Sequence, residues 1–249
     1  MNATVWLRMG LTLVVVIGLV VVVALLMERW QSRRPHDDDE RLGIKITAAF
    51  TTYAVLLGFA ILFAQQSYDD SVDALRSEAA AATTIARISA ALPNESGAGV
   101  IASLESYLKA DVGSWNDLGS PAATAEGTRH LNLVYQQVMD LQSEDGGAFL
   151  NAKAALLDAL SDLERARIER EVVTREAPPF IWIMLIMGAA IVLSLGTLLQ
   201  FGSRTLRLIT LISMAALIVI ALHTVWILSN PIQGPLPIQP DPLAHLLTG

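Results

Sequence analysis

A histidine followed by four acids, His36-Asp37-Asp38-Asp39-Glu40, is the densest run of hard ligands in the chain. Oxygen ligands of this kind suit calcium or magnesium. The run lacks the glycine and the distal glutamate of a calcium loop, so it reads as a solvated acidic loop and no metal site is expected. A second histidine, His223, falls inside a long apolar segment, where an ionisable side chain costs several kcal/mol unless it is paired or hydrated. The plainer alternative is a neutral ring that bonds a neighbouring helix or reaches the interface.

Hydroxyls also gather in apolar segments: Thr47, Thr51 and Thr52 near Gln65 and Gln66, then Ser194 and Thr197 near Gln200. Thr47 and Thr51 share a helix face. With Ser194, Thr197 and His223 they are the candidates for lining a water-filled path. Such hydroxyls can equally bond their own helix's carbonyls and serve only packing. No G-x-S-x-G, P-loop, H-E-x-x-H or dinucleotide glycine set is present, and no enzyme or cofactor is implied. Zero cysteines exclude disulfides, thiolate metal sites and a cysteine nucleophile.

The elements that must position these residues follow from hydropathy. Hydrophobic residues make up 53% of the 249, mean hydropathy is +0.49, and the apolar residues cluster into four segments. Each is near the twenty residues that cross a bilayer core. The spans are expected at about 9–27 (Met9 to Met27, a retained anchor), 46–64, 180–200 and 206–228. Residues 28–45 form a short loop with five Lys/Arg and five Asp/Glu. The second span continues without a breaker into Val72, Leu75, Ala79, Ala82, Ile85, Ile88 and Leu92, the stripe of an amphipathic helix. One helix is therefore expected from about Ile46 to Leu92, ended by Pro93.

Three more amphipathic runs follow, at 97–110, 128–142 and Phe149 to about Glu176, with a loop at 114–127. Leu150, Leu157, Leu160, Leu163 and Ile168 mark the inner face of the last. The fold class expected is an all-α integral membrane protein, with four transmembrane helices and an extra-membrane antiparallel bundle inserted between spans two and three. The domains divide at 1–65 (first transmembrane pair), 66–178 (bundle), 179–229 (second pair) and 230–249. The last is a proline-rich tail in which Asp241 is expected to cap a short helix with Pro242 at its first position. Its leucines are expected to dock on the bundle or on a neighbouring subunit.

Residues 66–178 hold nine Lys/Arg against eighteen Asp/Glu, a balance of −9 that disfavours nucleic acid. Arg29, Arg33, Arg34, Arg41, Lys45, Arg204 and Arg207 make loops 28–45 and 201–205 basic. Those loops are expected on the cytoplasmic side, with the bundle and both termini outside. Arg165, Arg167, Arg170 and Arg175 pull the other way.

The tail "NPIQGPLPIQPDPLAHLL" resembles the end of a bacterial bestrophin-like membrane family, through Asn230, Pro231, Gly234, Pro240 and Pro242. "TYAVLLGFAILFAQQSYDDSVDALRSEA" resembles that family's second span and its continuation, through Tyr53, Gly58, Phe59, Tyr68, Glu78 and Ala79. "REAPPFIWIML" resembles the entry to its third span, through Arg175, Pro179 and Trp182. The match covers about residues 44–249. The resemblance implies kinship with anion channels whose helices surround a central pore, although the aromatic-rich neck of such pores is not evident in the second span. A homo-oligomeric ion-conducting pore in a bacterial inner membrane is the preferred function. The alternatives are a non-catalytic accessory subunit docking on a larger membrane complex, and a sensor whose bundle binds a ligand. The partners expected are the lipid bilayer and either further copies of the chain or another membrane complex.

Overall fold

A computed structural model describes residues 39–92, 96–118, 120–141, 146–173, 179–197, 204–232 and 234–247, together with residues 11, 14, 15, 18 and 22. Those five positions are helical and exposed, and the rest of the first expected span lies outside the described residues, as do Pro93 and Arg175. The described residues contain helices and no strand.

Helix α1 runs unbroken over Asp39–Ala90, 52 residues. It starts before the second span, and no proline up to Ile46 interrupts it. The loop expected at 28–45 therefore stops at 38 at the latest. Helix α2 covers Ala98–Gly113, and a 3₁₀ turn follows at Trp115–Asp117. Helix α3 covers Pro121–Met139, so half of the loop expected at 114–127 is helical. Its start is written in Ser120-Pro121. The serine hydroxyl accepts the Ala123 N–H at 3.2 Å, and proline suits a first turn whose N–H would be unsatisfied anyway. Helix α4 covers Gly146–Val173, α5 Pro179–Thr197 and α6 Arg204–Leu228. A last short helix, α7, covers Asp241–Ala244.

The chain divides into two compact units. One holds residues 1–66 and 176–229, the other 67–175 and 230–249, and α1 contributes to both. Within the first unit, Tyr53, Leu57 and Ala64 of α1 pack with Leu185, Ala189 and Val192 of α5 and with Ile218 and Val225 of α6. Gly188 admits the Tyr53 ring, since a Cβ there would stand 2.7 Å from Tyr53 Cε2. Tyr53 donates its hydroxyl to the Leu185 carbonyl at 3.0 Å. Among the described residues, α1 from Thr47 and α6 from Leu208 are long and apolar enough to cross a membrane. The apolar part of α5, Ile181–Gly196, is shorter.

The second unit is a helical bundle. Ala82, Ile85, Val100, Leu104, Leu131, Val134, Val138, Leu156, Leu160 and Leu163 form its core, and Leu243 of the tail is fully buried in it. The stripe expected on α4 is rotated: Leu150 and Ile168 are exposed, while Ala166, Arg167 and Arg170 are buried. Residues 168 and 170 lie about 200° apart on a helix, so burying Arg170 turns Ile168 outward.

The tail leaves α6 through a turn that only glycine fits. Gly234 donates to the Asn230 carbonyl at 2.9 Å, and a Cβ there would come within 2.2 Å of that oxygen. Asp241 does not cap α7 as expected. Pro240 stands at the cap position, its carbonyl accepting the N–H groups of Leu243 and Ala244 at 3.0 and 2.9 Å, with no side-chain cap.

Candidate functional site

Three helices of the bundle each carry a charge where periodicity calls for an apolar residue. Glu78 stands on the α1 stripe between Leu75 and Ala82, Asp111 seven residues after Leu104 on α2, and Arg170 seven after Leu163 on α4. All three are buried. Arg170 Nη2 donates to both Asp111 carboxylate oxygens at 2.8 Å and to Glu78 Oε1 at 3.2 Å. Its Nε lies 2.8 Å from Glu78 Oε2, without the alignment of a hydrogen bond. Tyr107 donates its hydroxyl to Glu78 Oε1 at 2.5 Å. The guanidinium carbon of Arg170 sits 4.9 Å from the Trp115 ring centroid, a cation–π contact in a desolvated place.

Two carboxylates against one guanidinium leave the cluster one negative charge in excess when both are ionised. Burial raises the Glu78 pKa to about 7, and the neighbouring Asp111 charge adds to the rise; Arg170 and the Tyr107 hydroxyl oppose it. Burial and the two carboxylates push Tyr107 well up. Burial acts to lower Arg170, but Glu78 and Asp111 outweigh it and hold the guanidinium charged. The cluster can therefore take up or release a proton near neutral pH.

The same cluster reaches the tail. Trp115 donates its indole N–H to the Ile238 carbonyl at 3.0 Å, and Tyr68 donates to the Leu236 carbonyl at 3.4 Å. Ile232, Ile238, Leu246 and Leu247 pack against the bundle core around Leu243. Beside it, Arg167 of α4 bonds the Thr124 carbonyl at 2.9 Å and the Thr128 hydroxyl at 3.2 Å. It pairs with Glu171 at 2.7 Å and fills the space that a side chain at Gly127 would need.

The candidate pore residues belong to the first unit. Thr47 and Thr51 are exposed, and Thr51 donates to the Thr47 carbonyl at 3.0 Å. Ser194 is exposed and donates to the Ala190 carbonyl at 2.7 Å. Thr197 closes α5, and its side chain lies outside the described residues. His223 is half-buried, its Nδ1 3.1 Å from the Val219 carbonyl of its own helix. A carbonyl only accepts, so Nδ1 is the donor in this contact. The ring meets Trp226 edge-on at 6.5 Å.

Of the positions that carried the resemblance, Tyr53 and Glu78 organise a unit each. Trp182 packs at the edge of the first unit's core. Pro179 opens α5, and Pro231 is buried at the start of the tail. A Cβ at Gly58 would meet nothing within 4 Å among the described residues. Phe59 and Phe63 stack at 6.4 Å on the exposed side of α1. With Val55 they give the second span an apolar, aromatic row that its sequence did not suggest. Asp111, Tyr107, Trp115 and Arg170 were also missed. Their signal was a charge or a polar aromatic in stripe register on separate helices, which must find partners when those stripes meet.

An all-helical protein with membrane-length apolar helices and a separate helical bundle is the class these features define. A family model described as "Bestrophin-like domain" matches residues 11–243, and the chain belongs to the bestrophin-like family. Among curated proteins none matches. Two crystal structures of mutants of a bacterial bestrophin homolog from Klebsiella pneumoniae are similar in fold. One has a TM-score of 0.74 at 13% identity, covering 97% of this chain and 98% of the other. The second has a TM-score of 0.70 at 14% identity, covering 97% of each.

Proposed function

We propose that the protein is a homo-oligomeric, ion-conducting pore whose path is lined by α1. The observation that carries this is a single row at four-residue steps, Thr47, Thr51, Val55, Phe59 and Phe63, exposed along its whole length. Tyr53, Leu57 and Ala64, on other faces of the same helix, are occupied by α5 and α6. A row that passes from hydroxyls to stacked aromatics has the character of a polar mouth leading to an apolar constriction, which gates by dewetting. Membership of the bestrophin-like family supports a pore built by several copies.

The proposal includes four spans, with the apolar run at 9–27 as the first and α5 as the third. It places the connection that precedes α1 and the one between α5 and α6 in the cytoplasm and the bundle and tail outside, on the basic residues Arg29, Arg33, Arg34, Arg41, Lys45, Arg204 and Arg207 in and beside those connections. Ser194, Thr197 and His223 are secondary lining candidates.

Purified oligomer reconstituted in liposomes, assayed for ion flux, tests this reading. Flux is expected, with Phe59→Ala raising it by widening the constriction and Thr51→Leu lowering it. A well-folded oligomer that passes no ions would sink the pore. His223→Leu decides that residue: unchanged flux returns it to packing.

A further inference from the structure

Four side chains surround the Glu78 carboxyl: Tyr107 and Asp111 from α2, Arg170 from α4, and, across the guanidinium, Trp115. On α1 itself the neighbours three and four residues away, Ala74, Leu75, Ala81 and Ala82, carry no charge. Among the described residues, Asp111 and Arg170 therefore set the field at Glu78, and they oppose each other. With Glu78 protonated, the cluster is a neutral Asp111–Arg170 pair with a neutral acid beside it. With Glu78 ionised, a second carboxylate competes for the same guanidinium in a site without water-facing surface, and such an unbalanced buried charge is strongly disfavoured.

Arg170 holds Trp115 from one side while the Ile238 carbonyl holds its indole N–H from the other. Beyond that bond lie Pro240, whose carbonyl caps α7, and Leu243, which is sealed in the core. Whatever shifts Arg170 towards a second carboxylate draws on the group that positions Trp115. We propose that Glu78, Arg170 and Trp115 form a proton-controlled latch on the C-terminal tail, closed when Glu78 carries its proton and loosened when the proton leaves to solvent.

The test is backbone amide exchange of Ile238, Leu243 and Ala244 in the full chain in detergent, from pH 5.5 to 8.5, corrected for the intrinsic pH dependence of exchange. Protection is expected to fall about tenfold or more through a transition near neutral pH, as one proton is released. Glu78→Gln keeps the carboxamide in place without a titrating proton, and is expected to hold the low-pH protection throughout. Asp111→Asn removes the charge that favours protonation of Glu78, so the transition should move to lower pH. Trp115→Phe should lower protection at every pH by removing the bond to Ile238. A flat profile in the natural chain overturns the latch, and so does a transition that survives Glu78→Gln. Should Glu78→Gln fail to fold, the Asp111→Asn midpoint decides: no movement overturns it.

Discussion

Arg170 has two acids to satisfy and an aromatic ring to hold, and it is almost wholly buried. Removing a buried charge that others depend on is worse than never having it. Arg170→Met would leave Glu78 and Asp111 without a counter-charge and should cost about 3–5 kcal/mol, read as a drop in unfolding midpoint in detergent. Glu78 sets the pH dependence. Its folded pKa, about 7, lies above the ordinary 4.5, so between those values the folded chain binds a proton that the unfolded chain has released. Stability therefore falls as pH rises across that window, by up to about 1.4 kcal/mol per unit, and levels off above it. Glu78→Gln should flatten the dependence. A steeper fall in the variant, measured by denaturant titration, would contradict the assignment. None of this was visible in a count of charges. What the sequence did offer was the register of three charges on three apolar stripes.

At the scale of elements, two glycines with the same membrane-like surroundings behave differently. Among the described residues, Gly58 meets no side chain and Gly188 faces the Tyr53 ring. Gly58→Ala should be neutral or stabilise α1 by up to about 1 kcal/mol through helix propensity. Gly188→Ala must displace a ring pinned by its bond to Leu185, and should destabilise by about 1–3 kcal/mol. Thermal unfolding of the two variants side by side checks the contrast. The tail makes a comparable point. Leu243→Ala should cost about 2–5 kcal/mol, because it opens a cavity in the bundle core rather than trimming a loose end. Equal stability of variant and natural chain would show that Leu243 does not seat there. The proline spacing announced a stiff segment and a turn at Gly234. The cap of α7 escaped notice because Asp241 is a favoured capping residue while the backbone carbonyl of Pro240 already does that work.

For the whole molecule, the exposed surface of the first unit decides how the protein is handled. Val55, Leu56, Phe59, Leu62, Ile183, Met184, Ile186 and Met187 are more than half exposed. A patch of that kind on a water-borne protein would aggregate, whereas hydrocarbon or a neighbouring copy covers it without penalty. The chain should therefore stay in the membrane fraction after alkaline carbonate washing and require detergent for release. Recovery in the wash would argue against an integral location.

By itself the sequence determined what local physics and family pattern can write. It fixed the apolar segments, the amphipathic stripes of the bundle, the stiff tail and the bestrophin-like resemblance. Each depends on residues close together along the chain or on motifs in order. Only the tertiary structure decided which side of α4 faces inward, which small residue admits an aromatic ring, and that Glu78, Asp111 and Arg170 meet around Trp115 beneath the tail. Those outcomes depend on residues far apart along the chain, 123 positions in the case of Trp115 and Ile238. No periodicity within one helix encodes the rotation that brings such partners together; it is set when several stripes are buried at once.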